Sequence, residues 1–507
     1  MKKRYFLQFL LWLVFALAHP ECVAKPPNII FLFADDQAYD TLGCYGNPDV
    51  RTPNIDRLGH AGLIFDRHYN TTAICMASRA NVMTGLLEYR TGCNFMHGPM
   101  MRSIWEQSYP VRLRAKGYRT GFGGKFGFAV ADAPGQSADE HQYEHLPLED
   151  FDFWVGGVGQ THYATEKNKY LAHYADRFSH STRAYGAAGI DFIRTSSKTK
   201  QPFCLTLFFK APHRPTTPDP AFDDVYKATT FRKLPNYGRA FGNHLAPQSR
   251  LGRQYPRFEE WGYHTETSYQ DAMRTYHQQI YGIDVAVGMI LDELEIQGIA
   301  DETVIIYSSD NGFFNGSHGL GSKVLPYEEG ARVPMVIFDP RVPVSHRGRR
   351  TTAVSGNIDI AATIMDLAGI ENRSKLDGQS LMPLVRGQVA SIRERLPLIQ
   401  VWGATGSLTF GVVTQHYKYL YWCYGEGMQP REELFDLQFD PYEMRNLLHI
   451  PTEHPALPRM RAHYASELAL WKQMAVPFHG YQPFGIIFDP EVPWARKRDL
   501  LPAPFKP

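Results

Sequence analysis

The sequence predicts an α/β fold with a mostly parallel central sheet flanked by helices, followed by a smaller C-terminal antiparallel sheet with a helix. Three observations support this prediction. Continuous apolar runs, typical of strands buried on both faces, alternate with helical patterns over most of the 507 residues. Polar or charged residues directly follow several of these runs. After about residue 390, short strand patterns follow one another with only turns between them.

The central sheet is predicted from five apolar runs. Because helical patterns separate most of them, the connections are crossovers, and crossovers join parallel strands. The predicted strands are Asn28–Ala34, Tyr118–Gly123, Phe203–Ala211, Thr303–Ser309 and Val333–Phe338.

The helices are predicted from start and stop signals and from apolar faces. Pro53 and Asn54 open a short helix, and Gly298 ends the longest one, in which Ile283 and Val287 share an apolar face. The other predicted helices are Ser78–Thr84, which follows a cysteine-led turn, Tyr185–Thr195 and Ile358–Ala368.

The pattern divides the chain into four parts. Residues 1–24 form a predicted signal peptide, residues 25–390 a catalytic domain, residues 391–476 a small α+β subdomain and residues 477–507 a Pro-rich C-terminal extension. The subdomain is predicted from strand patterns and one helical pattern: Leu396–Val401, Leu408–Thr414, Tyr417–Trp422, Glu433–Leu437 and Pro455–Met474.

The N-terminus predicts export. Lys2, Lys3 and Arg4 precede an apolar run, Phe6–Ala18, that is too short to span a bilayer, and small residues near Ala24 suit a signal peptidase. We therefore expect a secreted or periplasmic protein whose signal peptide is cleaved. No later run is long enough to span a membrane, so no stable membrane association is expected.

Composition excludes some classes of partner and scaffold. The formal net charge is +1, and without residues 1–24 the balance is 50 basic to 51 acidic residues, so no nucleic-acid partner is expected. Five cysteines remain after residue 24, too few for a disulfide scaffold. Their odd number leaves at least one without a disulfide.

Polar side chains follow four predicted central strands, at the point where each strand ends. Asp35 and Asp36 follow the first strand, Lys125 the second and His213 the third, while the fourth ends at Asp310 and Asn311. Ligands of parallel sheets bind beyond the carboxyl ends of the strands. These residues are therefore expected to share one edge of the sheet.

The residue types at this edge predict metal-assisted hydrolysis. The set Asp35, Asp36, Asp310 and Asn311 offers hard oxygen donors, which suit Ca²⁺ or Mg²⁺ better than zinc. The cationic residues Arg79, Lys125, His213 and Lys323 would stabilise a transferring sulfuryl or phosphoryl group. His213 could protonate the leaving oxygen.

Cys75 opens the segment Cys75–Arg79, which leads into a predicted helix. A helix N-terminus favours anions, and Arg79 adds a permanent cation one turn further on. Taken alone, the segment reads as a buried structural cysteine near a surface arginine. A thiolate is an unusual nucleophile in metal-assisted ester hydrolysis, so the residues leave the role of the cysteine open.

Several motifs resemble the formylglycine-dependent (type I) sulfatases of the alkaline-phosphatase superfamily. The resemblance extends over about residues 28 to 450. It is carried by NIIFLFADDQAYDTLGCYGNPDVRTPNIDRL, the Cys-x-Ala-x-Arg signature before SRANVMTG, GYRTGFGGK, KAPHRP, SSDNG, HGLGSKVLPYEEGARVP and ELFDLQFDPYEMRNL.

The resemblance implies a mechanism for hydrolysing sulfate esters. A separate formylglycine-generating maturation enzyme would oxidise Cys75, and the hydrated aldehyde would be the nucleophile, held by Arg79. Lys125, His213 and Lys323 would hold the sulfate oxygens and protonate the leaving alcohol. Arg332 would support the site without touching the substrate. The metal, Ca²⁺ in preference to Mg²⁺, would be bound by Asp35, Asp36, Asp310, Asn311 and the converted Cys75.

Two positions depart from the family pattern. Relatives commonly read Gly-Lys-x-His where this chain has Gly127, so the histidine expected to contact formylglycine is absent. Ala77 stands where proline is commoner, which is an accepted variant for conversion. The candidates to replace the missing histidine are His97, His162 and His318.

The resemblance leaves the substrate open. Aromatic residues and histidines in the predicted loops favour a sulfated carbohydrate over other sulfate esters, because aromatic faces can stack on sugars. A phosphodiesterase or phosphonate monoester hydrolase using the same aldehyde is one alternative. The other alternative is a secreted protein that binds sulfated glycan without turnover. It is suggested by Gly127, because the expected histidine is absent there.

Overall fold

The computed structural model describes residues 25–371, 376–423 and 427–501. The predicted signal peptide lies outside the described residues. The strands are β1 Asn28–Ala34, β2 Leu63–Phe65, β3 His68–Tyr69, β4 Met100–Met101, β5 Arg119–Lys125, β6 Val130–Ala131, β7 Phe153–Gly157, β8 Phe203–Phe208, β9 Thr303–Ser309, β10 Met335–Phe338, β11 Arg349–Thr351, β12 Ser355–Gly356, β13 Arg395–Gln400, β14 Thr409–Thr414, β15 Tyr417–Trp422 and β16 Arg431–Asp436.

The α-helices vary widely in length, and short 3₁₀ turns occur between many elements. The helices are α1 Pro53–Ala61, α2 Cys75–Thr84, α3 Glu88–Thr91, α4 Arg102–Trp105, α5 Tyr109–Ala115, α6 Ser181–Ser196, α7 Arg257–Glu260, α8 Glu266–Ile296, α9 Glu328–Ala331, α10 Ile358–Leu367, α11 Met382–Val385, α12 Leu457–Met474, α13 Phe484–Ile487 and α14 Trp494–Arg498.

The central sheet has eight strands in the order β11-β2-β10-β9-β1-β8-β5-β7. The five strands β9, β1, β8, β5 and β7 are parallel, while β10 is antiparallel to both β9 and β2. The predicted mostly parallel sheet flanked by helices is confirmed. Because β10 runs the other way, its end at Phe338 lies at the edge opposite to the ends of β1 and β9.

The strand β1 shows why the sheet needs helices on both faces. Alternate residues of β1 enter two separate hydrophobic clusters: Ile30 and Leu32 join the cluster that contains α6 and α8, whereas Phe31 and Phe33 join the cluster that contains α2 and α10. All seven residues of β1 are buried. This explains the continuous apolar run, because side chains on either face of the strand meet a core.

Three strands of the central sheet were not predicted. β2 and β11 have only three residues each, and β7, FWVGG, lies in a stretch that reads as loops. β5 also extends to Lys125, beyond the predicted end at Gly123. Short or glycine-rich strands carry little periodicity, so their pairing depends on neighbouring strands.

The C-terminal part contains a four-stranded antiparallel sheet, β13-β14-β15-β16, with α12 packed against it. The predicted smaller sheet with a helix is thereby confirmed. The Pro-rich extension is more than surface chain: Tyr481, Phe484, Ile487 and Phe488 are buried in the same cluster as Trp471 of α12. Within the described residues, no helix is long and apolar enough to cross a membrane.

Candidate active site

Four neighbouring parallel strands, β9, β1, β8 and β5, position the predicted site residues. Asp310 follows β9, Asp35 follows β1 and Lys125 ends β5. His213 lies five residues beyond β8, and the Ala211 carbonyl before it accepts a hydrogen bond from the Asp35 amide at 3.0 Å. The parallel direction therefore brings groups that are distant in sequence to one edge, which we call the catalytic rim.

Cys75 is buried at the first position of α2, so the helix starts three residues earlier than the predicted Ser78. Its sulfur lies 3.4 Å from Asp35 Oδ1 and 3.8 Å from Asn311 Oδ1, and the Lys323 ammonium donates to it at 2.7 Å. Burial and the Asp35 charge raise the pKa of the thiol to about 12. The unmodified thiol therefore stays protonated near neutral pH and is a poor nucleophile.

Arg79 lies one turn further along α2 and is fully buried. Its Nε donates to Asp310 Oδ2 at 3.0 Å, and its Nη2 lies 3.3 Å from Asp35 Oδ2. Its Nη1 donates to the Lys125 carbonyl at 2.7 Å. The fork of the guanidinium thus ties α2 to the ends of three strands, a geometry that lysine cannot reproduce.

The two predicted lysines face the two adjacent aspartates. Lys125 Nζ lies 2.6 Å from Asp35 Oδ2, and Lys323 Nζ contacts Asp36 Oδ1. Burial alone would raise the pKa of Asp35, but Lys125, His213 and Arg79 hold it well below its usual value. The rim is therefore a cluster of buried opposite charges, in which the Lys323 ammonium also borders the Cys75 sulfur.

Glycine allows the strand carrying Lys125 to reach the rim. Gly124 has φ +99°, and a β-carbon there would lie 1.8 Å from the Phe208 carbonyl oxygen of the neighbouring strand. Any larger residue would separate β5 from β8. The absence of a side chain at Gly124 therefore lets the two strands lie close together.

His213 faces the rim through one ring nitrogen. Its Nε2 lies 3.8 Å from Asp36 Oδ2, and its Nδ1 is hydrogen-bonded to the Arg214 carbonyl. A carbonyl only accepts, so the proton sits on Nδ1 and Nε2 is the atom available for proton transfer. The side chain is 21% exposed, so the rim opens to solvent beside it.

The oxygen ligands fit a hard divalent cation. Ligand atoms of Asp35, Asp36, Cys75 and His213 lie within 4.8 Å of one another. Asp310 Oδ1 accepts from the Asp36 amide at 3.1 Å, which places it beside the same group. Burial and the Asp35 charge raise the pKa of Asp310 to about 6. A Ca²⁺ ion would offset the mutual repulsion of these carboxylates, and their oxygens match its preference.

A second group with metal-ligating side chains lies elsewhere. Ligand atoms of His318, Glu329 and Glu443 lie within 4.8 Å of one another. Asn236 Nδ2 donates to His318 Nε2 at 3.0 Å and to Glu329 Oε1 at 2.7 Å, and Lys418 lies 2.8 Å from Glu443 Oε1. The side chains of this group are thus already bound by donors from the protein itself.

Gly127 stands where the histidine was expected, and a side chain would be crowded there. Its φ is +88°, and a β-carbon there would lie 2.6 Å from Arg79 Cδ. His97 is bonded to the Val401 and His479 carbonyls, His162 is exposed and His318 is held by Asn236. In the described part of the chain, none of these three histidines forms a hydrogen bond or ion pair with Cys75.

Other predicted residues have defined surroundings. Arg332 pairs with Glu328 at 3.1 Å and stacks on Tyr39, so its guanidinium is engaged by groups of the protein. Ala77 is buried beside Ile74, one residue before Cys75. Each of the five cysteines after residue 24 is buried and free.

Two cations beside the rim, Lys210 and Arg257, were not among the predicted site residues. Lys210 belongs to the KAPHRP motif but was assigned no role. It is 6% exposed and donates to the Gln160 carbonyl at 3.0 Å, and burial together with the Lys125 charge lowers its pKa to about 8. Its position at the end of an otherwise apolar predicted strand could have marked Lys210 as a candidate site residue. Arg257 begins α7, in a stretch between His213 and α8 where no element was predicted.

The chain matches the model of the Sulfatase family over residues 27–370, and that of the C-terminal region of N-sulphoglucosamine sulphohydrolase over residues 316–468. It is 28% identical over 491 residues to N-acetylglucosamine-6-O-sulfatase of Bacteroides thetaiotaomicron, which covers 83% of each chain.

Solved structures with the same fold extend the comparison. One is a complex with its substrate D-glucosamine-2-N,6-O-disulfate, with a TM-score of 0.71, 24% identity, and coverage of 89% of this chain and 99% of that chain. Phosphonate monoester hydrolase of Agrobacterium radiobacter has a TM-score of 0.71 and 19% identity, covering 89% of this chain and 96% of its own. Identities this low establish the fold alone.

Proposed function

The chain belongs to the sulfatase family of the alkaline-phosphatase superfamily and is a sulfatase enzyme, and from this premise we propose that it removes sulfate from a sulfated carbohydrate with formylglycine formed from Cys75. One observation carries the proposal: Cys75 begins a helix at the catalytic rim, within 4 Å of a carboxylate, an amide oxygen and an ammonium group.

We assign the metal site to Asp35, Asp36, Asp310, Asn311 and position 75, with Ca²⁺ as the ion. The ion would polarise the sulfate group and neutralise charge on its oxygens. Formylglycine at position 75 would supply, as its hydrated aldehyde, the hydroxyl that attacks sulfur. A maturation enzyme that forms formylglycine is therefore a required partner.

The remaining residues act on the sulfate and the leaving group. Lys323 borders the position 75 side chain and Lys125 contacts Asp35 beside it. Both would hold the sulfate oxygens, where their buried charges act through a low dielectric. Arg79 keeps the start of α2 in register with the strands. His213, with protons on both ring nitrogens, would donate the Nε2 proton to the leaving alcohol oxygen while its Nδ1–H stays bonded to the Arg214 carbonyl. Burial lowers the pKa of His213 to about 4, so the negative charge of the bound sulfate would be needed to favour this form.

A carbohydrate substrate is supported by the relatives. The similar enzyme of Bacteroides thetaiotaomicron acts, by its name, on N-acetylglucosamine-6-O-sulfate, and the substrate in the similar solved complex is a disulfated glucosamine. We also propose export through a signal peptide at residues 1–24, a catalytic domain at residues 25–390, a small subdomain at residues 391–476 and a C-terminal extension at residues 477–507 that packs against the subdomain.

The first test is mass spectrometry of the peptide that contains Cys75, from protein produced together with a maturation enzyme. Conversion of the thiol to an aldehyde lowers the mass by about 18 Da. We expect that loss, and release of sulfate that disappears in Cys75→Ala. Turnover by Cys75→Ala equal to that of the wild type would refute the proposed nucleophile.

Phosphonate or phosphodiester hydrolysis is the second candidate, favoured by the fold shared with a phosphonate monoester hydrolase. Matched aryl sulfate, phosphonate and phosphodiester substrates separate the two. We expect kcat/KM to be highest for the sulfate. A higher value for the phosphonate would reverse the assignment. Sulfate release from any ester also excludes the non-catalytic binding alternative suggested by Gly127.

A further inference from the structure

Two arginines stack on one tryptophan beside the catalytic rim. The guanidinium carbon of Arg214 lies 4.7 Å from the centre of the Trp261 ring, and that of Arg257 lies 4.4 Å from it. All three side chains are partly exposed. Stacking on an aromatic face holds a guanidinium in place while its N–H groups stay available to a ligand.

Both arginines are attached to segments that carry proposed sulfate contacts. Arg214 directly follows His213. Arg257 Nη1 donates to Ser322 Oγ at 2.8 Å, and Ser322 directly precedes Lys323. Because consecutive Cα atoms are about 3.8 Å apart, each arginine originates within a short reach of a residue that would hold the scissile sulfate.

Trp261 is anchored to the metal-binding end of the rim by a row of rings. It stacks on Phe313 with a centroid distance of 5.7 Å and an interplanar angle of 6°, and Phe313 stacks on Tyr276 at 5.9 Å. The Tyr276 hydroxyl donates to the Asp36 carbonyl at 2.6 Å. The aromatic platform and the rim are therefore parts of one packed unit.

The positive charge of this pair lacks a carboxylate partner. Among the ion pairs of the described residues, none involves Arg214 or Arg257, and Glu260 and Asp36 act on Arg257 only over longer distances. Burial and the neighbouring Arg253 lower the pKa of Arg257 to about 10, which still leaves it charged. Partly buried cations that repel one another favour the arrival of an anion.

We propose that Arg214 and Arg257, supported by Trp261, form a subsite for a second anionic group of the substrate, one sugar position away from the sulfate that is removed. The inference rests on the proposed function and names its substrate class: sulfated saccharides that also carry a further sulfate or a uronate carboxylate. Sulfate and carboxylate share the geometry that two guanidinium forks recognise.

The test compares kcat/KM for three saccharides with the same scissile sulfate ester: one with no other anion, one with a second sulfate and one with a neighbouring uronate. The wild type, Arg214→Gln, Arg257→Gln and the double variant are measured after formylglycine has been verified by mass. The matched control is Arg119→Gln, because Arg119 stacks on Phe192 at 4.8 Å but lies at the opposite end of β5.

We expect the wild type to prefer at least one doubly anionic substrate by about 100-fold, and each single variant to reduce that preference about tenfold. The kcat/KM for the singly sulfated saccharide should stay within about threefold in both variants, as should all values for Arg119→Gln. A preference for the second sulfate alone or for the uronate alone supports the subsite and identifies its anion.

An equal preference in the wild type and the double variant would overturn the subsite, as would a wild type that turns over all three saccharides alike. Failure of the wild type to release sulfate from any of them would instead refute the carbohydrate substrate of the proposed function. Melting temperatures within a few degrees of the wild type confirm that the variants are folded.

Discussion

Two buried lysines in this molecule each contact a pair of carboxylates, yet their surroundings differ. Lys323 lies at the catalytic rim, where it contacts Asp36 and lies 3.9 Å from Asp35. Lys418 of β15 lies between α9 and the C-terminal segment, 2.8 Å from both Glu328 and Glu443. We call the group of Lys418, Glu328 and Glu443 the interdomain cluster.

The two groups differ in their access to solvent and in how far the protein itself neutralises their charges. The side chains of the interdomain cluster are 0% exposed, and Glu443 also accepts from the Glu328 amide at 2.7 Å. At the rim, Lys323 is 8% exposed and His213 is 21% exposed. Lys323 also donates to Cys75, a neutral group that cannot neutralise it.

Buried charged residues do not by themselves form a functional site. In the interdomain cluster the protein itself supplies each counter-charge, so the ion pairs fasten α9 to the C-terminal sheet. At the rim, lysine and carboxylate side chains surround a helix N-terminus and an opening to solvent. Part of their electric field therefore acts on a ligand that enters. Substitutions in the two regions should therefore affect different properties.

The largest expected effect is on stability, from Lys418→Met. Removing Lys418 leaves two buried carboxylates without their shared cation, which costs about 3–5 kcal/mol of the free energy of unfolding. Denaturant unfolding measures it. Lys472→Met is the control, because its partly exposed pair with Asp489 should contribute less than about 1 kcal/mol. Equal losses in both variants would show that the cluster does not hold the two parts together.

The matched substitution at the rim, Lys323→Met, should act on catalysis. Loss of one ammonium beside the reacting group lowers kcat for sulfate release by about 10²–10³-fold. Lys125 and Arg79 still face the carboxylates, so unfolding should change less than in Lys418→Met. Steady-state kinetics and denaturation on the same preparations test both statements. A stability loss equal to that of Lys418→Met, with kcat intact, would contradict the comparison.

A third effect concerns pH and lies beside the interdomain cluster. Glu433 accepts from Trp422, Tyr327 and the Ala246 amide, and burial raises its pKa from 4.5 to about 7. The folded chain therefore keeps a proton that the unfolded chain releases. The free energy of unfolding should fall by on the order of 2–3 kcal/mol as pH rises from about 4.5 to about 7.

Unfolding in denaturant at several pH values tests this slope. In Glu433→Gln, the part of the decline in stability that Glu433 causes should disappear. Glu432 pairs with Arg461, so Glu432→Gln is the control in which the decline should remain. A slope that is the same in Glu433→Gln and the wild type would mean that Glu433 is ionised in the folded protein throughout.

The smallest expected effect separates backbone strain from contact at the rim. Gly127→Ala and Gly135→Ala both place alanine at a positive φ, +88° and +83°, which costs about 1–2 kcal/mol of stability in each. Only at Gly127 does the new β-carbon meet Arg79; nothing lies within 4 Å at Gly135. Activity should fall about tenfold or more in Gly127→Ala alone. Equal activities would show that the Arg79 position tolerates displacement.

Much of the fold was predictable because the apolar runs are long. The bounds of β1, β9 and β15 agree with the predicted ones, since each strand is a nearly continuous buried run in which apolar residues predominate. Short or glycine-rich strands such as β7 were missed, because their place depends on pairing with β5. The burial of Tyr481 in the C-terminal cluster was not predicted either, since its segment shows no hydrophobic periodicity.

The residues of the rim were predictable for a different reason. Parallel strands end at one edge, so polar groups after β1, β5, β8 and β9 had to meet if the strands were neighbours, as they are. The sequence by itself thus determined the strands and the chemistry at their ends. It also carried the family motifs, which implied the nucleophile, and these signals are local in the chain.

Only the tertiary structure decided which charged residues act together. Lys323 reaches Cys75 across 248 positions of sequence. Arg214 and Arg257 converge on Trp261 in a stretch where no element was predicted, and Gly127 packs against Arg79. The physical reason is that periodicity reports whether a residue is buried. The partner that compensates a buried charge is selected by the packing of distant segments, and no local pattern records that choice.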